Sequence, residues 1–478
     1  MTTEHDLFMV PTSTWQRARR SRLGIACVVA LTLFTDMLVY GVVIPCLPVL
    51  VLERLGGDQA QLGFLFGSYA FGLLVATPIF AILSDRYQNR RYPTMIGMLG
   101  LVISTLAFAI ADSYVLLVLA RVAQGVAGGA SWTIGLGMLA DIFPTNRLGI
   151  VMGSVLTAHT VGFAIGPAIG GVLYEYGGFG APFYFCAAFA VINFLGIVWI
   201  EEPLLLSKHF KLQDELEQQQ QHNEHTPLLF PENDNDSVHS NMSFATNITT
   251  TLSAAAVIVD HPDLAIKLSQ RADDKEHHIT MWSLLNQWRI FSCVCCVIIS
   301  ASVFSGIEPA LPVHLKKMYD CSPSTVGLIF VAMVVPAFLA PVIGHFSDKM
   351  GRRIISSTGM ILMAIVSPIV ALHFKSVYMI IPPLMIFGLS SPVTLTPILP
   401  EMGEIVSDMG GDAYAQVYAL YNMAYASGMF IGPVIAGFIM AHQDFETLMI
   451  LFSLALLACS PVMMDWLALW RKCVAFCT

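Results

Sequence analysis

Charge is what this sequence has least of. Only 12% of its 478 residues are Asp, Glu, Lys or Arg, against roughly 25% in soluble domains. Mean hydropathy is +0.69. No soluble fold buries this much apolar surface, so a globular enzyme or soluble binding domain is excluded and a polytopic membrane protein is implied. Catalytic signatures are missing as well. There is no phosphate-binding glycine loop and no His-Glu-x-x-His helix, so no enzyme activity, metal or organic cofactor is expected. Nothing suggests a nucleic-acid partner. Cysteines are present but without zinc or disulfide spacing: Cys293, Cys295 and Cys296 fall inside one apolar run. Cys473 and Cys477 follow the last apolar run and carry only a weak acylation signal. No cleavable signal peptide is expected, because the first apolar run is long enough to stay as a span. Arg17, Arg19, Arg20 and Arg22 precede it and hold the N-terminus in the cytoplasm.

What is there is a series of apolar runs close to the roughly 20 residues that a bilayer requires. Six lie near 23–48, 61–83, 93–111, 114–139, 149–174 and 181–200, and six more near 290–313, 324–345, 354–373, 377–399, 413–440 and 446–470. Arg86, Arg90, Arg91, Arg147, Lys349, Arg352, Arg353, Arg471 and Lys472 all follow even-numbered runs; Lys316 and Lys317 are the exception. That bias places both termini in the cytoplasm. A hydrophilic stretch, 201–288, separates the two sets and has the composition of a disordered linker. It contains Glu224, Leu228 and Leu229 in an acidic dileucine pattern, a candidate contact for a sorting adaptor.

The two sets echo one another. Pro45 and Pro48 recur as Pro309 and Pro312, Asp85 as Asp348, and Gly166-Pro167 as Gly432-Pro433, at offsets of 264, 263 and 266. Duplicated six-helix halves are the architecture of carriers that rock about a midplane site. The expected domains are a cytoplasmic segment 1–22, a bundle 23–200, the linker 201–288, a second bundle 289–470 and a tail 471–478. The fold class is all-α: twelve transmembrane helices in two pseudo-symmetric six-helix bundles.

A carboxylate inside a span costs roughly 2.5–3.5 kcal/mol on insertion scales. Glu308 closes the seventh run, and either meets headgroups at the membrane edge or faces a water-filled path. Asp36 lies mid-span among Leu33, Phe34, Leu38 and Val39. It either bonds a neighbouring helix for packing or trades a proton and pairs with a cationic substrate. Two acids from opposite halves would bracket one cavity. Arg121, an intramembrane cation, is expected to pair with or polarise one of them, or to tie down backbone carbonyls. Gly162, Gly166, Pro167, Gly170 and Gly171 permit close helix packing and a bend. Asp85 and Arg86, with Asp348, Arg352 and Arg353, either latch helices as gates or form solvated turns. His159 is more ordinary as a packing residue than as a titrating one. Tyr69, Asn422, Tyr418 and Tyr421 would offer an amphipathic lining with aromatic faces for a cation. Glu401, Glu404, Asp408 and Asp412 read as a solvated loop face.

These motifs resemble those of the major facilitator superfamily. Its post-span-2 motif, Gly-x-x-x-Asp-Arg-x-Gly-Arg-Arg, has a degenerate copy around Asp85-Arg86, with Ala81 for the first glycine. A fuller copy surrounds Asp348, with Lys349 for arginine. Arg121-Val-Ala-Gln124-Gly125 resembles the fourth-span motif, which implies that Arg121 serves proton coupling. The run Gly162 to Gly171 resembles the fifth-span motif of proton-coupled exporters. Within the superfamily, Asp36-Met37-Leu38 and Ile307-Glu308-Pro309-Ala310-Leu311-Pro312 resemble the twelve-span drug:proton antiporters and vesicular amine transporters. There are departures. The second-span lysine and eleventh-span aspartate of the amine carriers fall on Tyr69 and Asn422, so both charges are lost together. A tenth-span aspartate falls near Ser407 or Asp408.

The resulting expectation is a major facilitator fold that exports a small organic, cationic or amphipathic substrate in exchange for protons. It would act as a monomer powered by the proton gradient alone, in a vacuolar, vesicular or plasma membrane. A proton-independent facilitator or importer is the alternative. A receptor or scaffold that binds without flux is the rival of another class.

Overall fold

A computed structural model describes residues 14–87, 89–202, 206, 210, 281–409 and 414–463. Twelve spans, α1–α12, run Arg22–Arg54, Gln59–Phe80, Arg91–Ala109, Tyr114–Ile142, Arg147–Gly177, Ala181–Trp199, Trp288–Tyr319, Pro323–Met350, Arg352–Val370, Val377–Asp408, Gln416–His442 and Phe445–Met463. Helices satisfy their own backbone groups, which hydrocarbon demands. Polar side chains inside them do likewise: Thr35, Ser131 and Ser367 each donate to the carbonyl four residues back. Ends are set locally. Ser21, Ser113 and Ser322 accept from backbone N–H groups at the starts of α1, α4 and α8. Prolines break the regularity. α1 ends in a π-helical turn, Val49–Arg54, after Pro48. α8 passes through a 3-10 segment, Val335–Leu339, that holds Pro336.

Both halves assemble in the same way. In the first, α1 packs on α5, α2 on α4, and α3 on α4 and α6. In the second, α7 packs on α11, α8 on α10, and α9 on α10 and α12. Large apolar side chains such as Ile103, Ile150 and Phe438 cover the outside, as a wall facing hydrocarbon would require. The halves meet through two crossed pairs, α2 with α11 and α5 with α8.

Glycines make those crossings close. A Cβ on Gly171 of α5 would lie 2.2 Å from the Pro323 carbonyl of α8, and one on Gly327 would lie 2.1 Å from that of Pro167. On the other side, a Cβ on Gly437 of α11 would meet Gly63 Cα of α2 at 2.8 Å. Gly162, Gly166 and Gly170 instead face α1: Cβ atoms there would meet the Phe34 carbonyl, Gly41 Cα and the Val42 carbonyl at 2.4, 2.9 and 2.2 Å. Within the fifth-span motif, then, Pro167, Ala168 and Gly171 lie against α8 of the other half.

The face that carries residue 22 and the linker ends, here the linker face, is held by ion pairs. Arg352 reaches Asp348 at 3.1 Å and Glu404 at 2.6 Å. Buried Glu401 accepts from Arg289 at 2.9 Å and lies 4.0 Å from Arg353, and Arg289 also meets Asp408 at 3.6 Å. The solvated face expected for these acids is therefore wrong for Glu401, which joins α10 to α7 and α9. The side chains of Asp85 and Arg86, and Asp412, lie outside the described residues. The first linker residues join the bundle. Glu201 pairs with Arg20 at 2.8 Å, Glu202 accepts from the Arg90 and Arg91 backbone, and Phe210 lies under Arg22. Most of the linker, with Glu224, Leu228 and Leu229, lies outside the described residues, as do Cys473 and Cys477.

Candidate functional site

Between the halves lies a cavity of about 330 Å³, within the range of small-molecule sites. Its walls are mostly apolar, with Met37, Leu73, Trp132, Phe163, Phe304 and Met333 among them. Thr77, Trp132, His159 and Leu395 line it from the linker-side halves of their helices, while the glycine crossings close the far side. The cavity therefore faces the linker side.

Two carboxylates stand in its wall. Asp36 of α1 accepts from the Tyr69 hydroxyl of α2 at 3.0 Å. Glu308 of α7 accepts from the Tyr40 hydroxyl of α1 at 2.5 Å. The tyrosine rings lie 4.8 Å apart, centre to centre. Arg121 of α4 faces both, its guanidinium 5.0 Å from the Tyr40 ring and 5.2 Å from that of Tyr69. All five side chains are at most 4% exposed. Glu308 thus lies inside the protein and not at the membrane edge.

The surroundings fix this geometry. Arg121 donates to Gln124 Oε1 at 3.0 Å, and Gln124 donates to Thr105 of α3 at 3.3 Å. A Cβ on Gly125 would come within 1.9 Å of the Tyr69 carbonyl, so α2 and α4 touch there. A Cβ on Gly128 would meet the Tyr69 hydroxyl at 2.5 Å and both Asp36 oxygens at 3.0 Å, so its absence makes room for their bond.

Among the described residues, Arg121 forms no ion pair within 4 Å of either acid. Its Nε and Nη2, and Asp36 Oδ1, lack hydrogen-bond partners. Of the roles expected for Arg121, pairing with an acid, polarising one or tying down carbonyls, the geometry shows no direct pair: tyrosine rings lie against the guanidinium, which donates to Gln124. Tyr69 has a second contact besides the lining role expected for it. It lines the cavity, its ring also faces Arg121, and its hydroxyl holds Asp36. Asn422 and Tyr421 line the cavity, but Tyr418, 45% exposed, does not. His159 lines the cavity beside Trp132, with ring centres 5.1 Å apart. Asp408 is on the linker face and away from this cluster. Tyr40 was not anticipated from the sequence; the available signal was its place one helical turn after Asp36.

The profile of the Major Facilitator Superfamily matches residues 29–259 and 293–472. The chain belongs to this superfamily. It is a multi-pass membrane transporter of small solutes. An uncharacterized MFS-type transporter of Schizosaccharomyces pombe is 25% identical over 452 residues, spanning 91% of this chain and 93% of its own. The human synaptic vesicular amine transporter is 24% identical over 408 residues, 85% of this chain and 66% of its own. Among solved structures, a mutant of the nucleoside transporter NupG superposes with a TM-score of 0.64 at 11% identity, covering 92% of this chain and 99% of that one. The human organic anion transporter MFSD10 gives 0.59 at 15% identity, covering 93% and 99%. At these identities the structures speak for the major facilitator fold alone.

Proposed function

We propose that this transporter exchanges protons for a small organic cation or amphipathic amine, taken up at the linker face and released on the far side. The observation that carries the reading is the charge balance of the cavity. Two carboxylates in its wall and one guanidinium behind the Tyr40 and Tyr69 rings share a buried site, so with both acids ionised it holds one uncompensated negative charge. Uncompensated charge is costly there, and one proton or one monovalent organic cation neutralises it equally well. Competition of that kind is what antiport requires. The apolar walls suit an amphipathic body, and amine transport is named for a relative that covers most of the chain.

We place the linker face in the cytoplasm, because Arg90, Arg91, Lys349, Arg352 and Arg353 gather there. The membrane would be vacuolar, vesicular or plasma. The carrier would work as a monomer, with the proton gradient as its only energy source. The test is uptake of a fluorescent organic cation into proteoliposomes with an imposed pH gradient. Native protein is expected to accumulate the cation only under the gradient, and Asp36→Asn and Glu308→Gln each to abolish accumulation. Native uptake that ignores the gradient would replace antiport with facilitated diffusion. Saturable binding without flux would favour a receptor.

A further inference from the structure

Across the middle and far parts of the interface the halves touch almost wholly through apolar and glycine surfaces. Among the described residues, side-chain hydrogen bonds join them at two places. One runs from Tyr40 of α1 to Glu308 of α7. The other runs from Ser324 of α8 to Glu175 of α5, at the far end. The first ends on a carboxylate of the cavity itself. We infer that Tyr40 is a positioning residue that ties the halves together through Glu308 while that acid is ionised and unladen, holding the empty carrier in the linker-open state. This rests on the proton-exchange reading above.

The physical basis is the change in the bond when Glu308 is loaded. A hydroxyl donating to an ionised carboxylate makes a charge-assisted bond, roughly twice as strong as its neutral counterpart. A proton on Glu308, or a substrate ammonium against it, removes that advantage. Among the described residues, Glu308 is the acceptor that the Tyr40 hydroxyl reaches. The Tyr40 ring is fixed between Tyr69 and Phe163, 4.8 and 5.9 Å away. Arg121 braces the ring from α4. The hydroxyl therefore stays in place and the strength of the tie follows the state of Glu308. An antiporter leaks if its empty, deprotonated form crosses between states, and the tie opposes that crossing. The other titratable groups around the pair are Asp36 on α1, Tyr69 on α2, Arg121 on α4, His159 on α5 and Tyr425 on α11. All of them remain in Tyr40→Phe, so any change in that variant follows from the lost hydroxyl.

The experiment measures decay of a pH gradient across proteoliposomes without substrate, with the membrane potential clamped by potassium and valinomycin. Native protein is expected to hold the gradient, and Tyr40→Phe to dissipate it several-fold faster. Tyr40→Leu, apolar but of different shape, should leak as well. The double variant Tyr40→Phe, Glu308→Gln should not leak, since the proton carrier is gone. Native gradient-driven uptake with no added leak in either Tyr40 variant would overturn the role of Tyr40 and leave antiport standing. A leak that persists in the double variant would overturn it too. Native uptake indifferent to the gradient would overturn antiport, and this inference with it.

Discussion

Two glycines one turn apart on α4 separate function from folding at the scale of single residues. The atoms nearest a Cβ at position 128 are the tip of Tyr69 and the Asp36 carboxylate, side-chain atoms that can swing aside. Gly128→Ala should therefore fold but move Tyr69 off Asp36, and gradient-driven uptake should fall with little change in thermal stability. A Cβ at position 125 meets the Tyr69 backbone carbonyl at 1.9 Å, which cannot yield unless α2 and α4 part. Gly125→Ala should cost about 1–3 kcal/mol by overpacking, visible as a lower midpoint in a detergent melt. Equal melts for the two variants would contradict this division. Asp36, Glu308 and Arg121 were legible in the sequence because an intramembrane charge is expensive and stands out. Tyr40 was not, because a tyrosine in an apolar span is ordinary and its partner lies 268 positions away. Glu401 was misread for a related reason. An acid near the end of a span resembles a solvated one until the arginines of two other helices are seen around it.

Among the elements, the repeated α5 and α11 carry most of the interface between the halves. Gly166 and Gly432 pack within their own halves, on α1 and α7, while Gly171 and Gly437 meet α8 and α2 of the other half. Larger side chains at the second pair should wedge the far side open. Gly171→Val and Gly437→Val are each expected to speed labelling of Cys321 by an impermeant maleimide. Cys321 is buried at the far end and lines a cavity between α1, α5, α7 and α8. Unchanged labelling would mean that these crossings do not close that side. The linker-face ion pairs make a separate prediction. Glu401→Gln leaves Arg289 and Arg353 short of a buried partner and should cost about 1–3 kcal/mol. Glu404→Gln removes a pair whose acid is 57% exposed and should cost under about 1 kcal/mol. Melts of the two variants check the order. The twelve spans and the duplication could be read from run lengths and the spacing of Pro, Gly and Asp. The 3-10 break in α8 and the π turn after Pro48 could not, since proline in a span signals a freed carbonyl but not how the backbone absorbs it.

For the molecule as a whole, the question is whether the halves need their covalent link. Each half repeats the same internal packing, α1–α5 against α7–α11 and α3–α6 against α9–α12. One apolar cluster lies within the first half, and a second runs from Ile44, Phe66 and Phe108 of the first half into the core of the other. The joint between the halves comprises the pair of glycine crossings, the Tyr40–Glu308 and Ser324–Glu175 bonds and that shared apolar cluster, made chiefly by helices of the spans. The described anchors of the first linker residues, Glu201 on Arg20 and Glu202 on the start of α3, stay within the first half. Without a hydrophobic drive between helices in lipid, close packing and buried hydrogen bonds must hold such a joint, and both are present here. A chain severed between Ser240 and Asn241 should therefore reassemble when both pieces are made together. The pieces should co-purify and recover gradient-driven uptake, and Gly171→Val in the first piece should weaken co-purification. Pieces that never associate would show that the joint is too weak alone, and that the linker sets the effective concentration at which the halves meet.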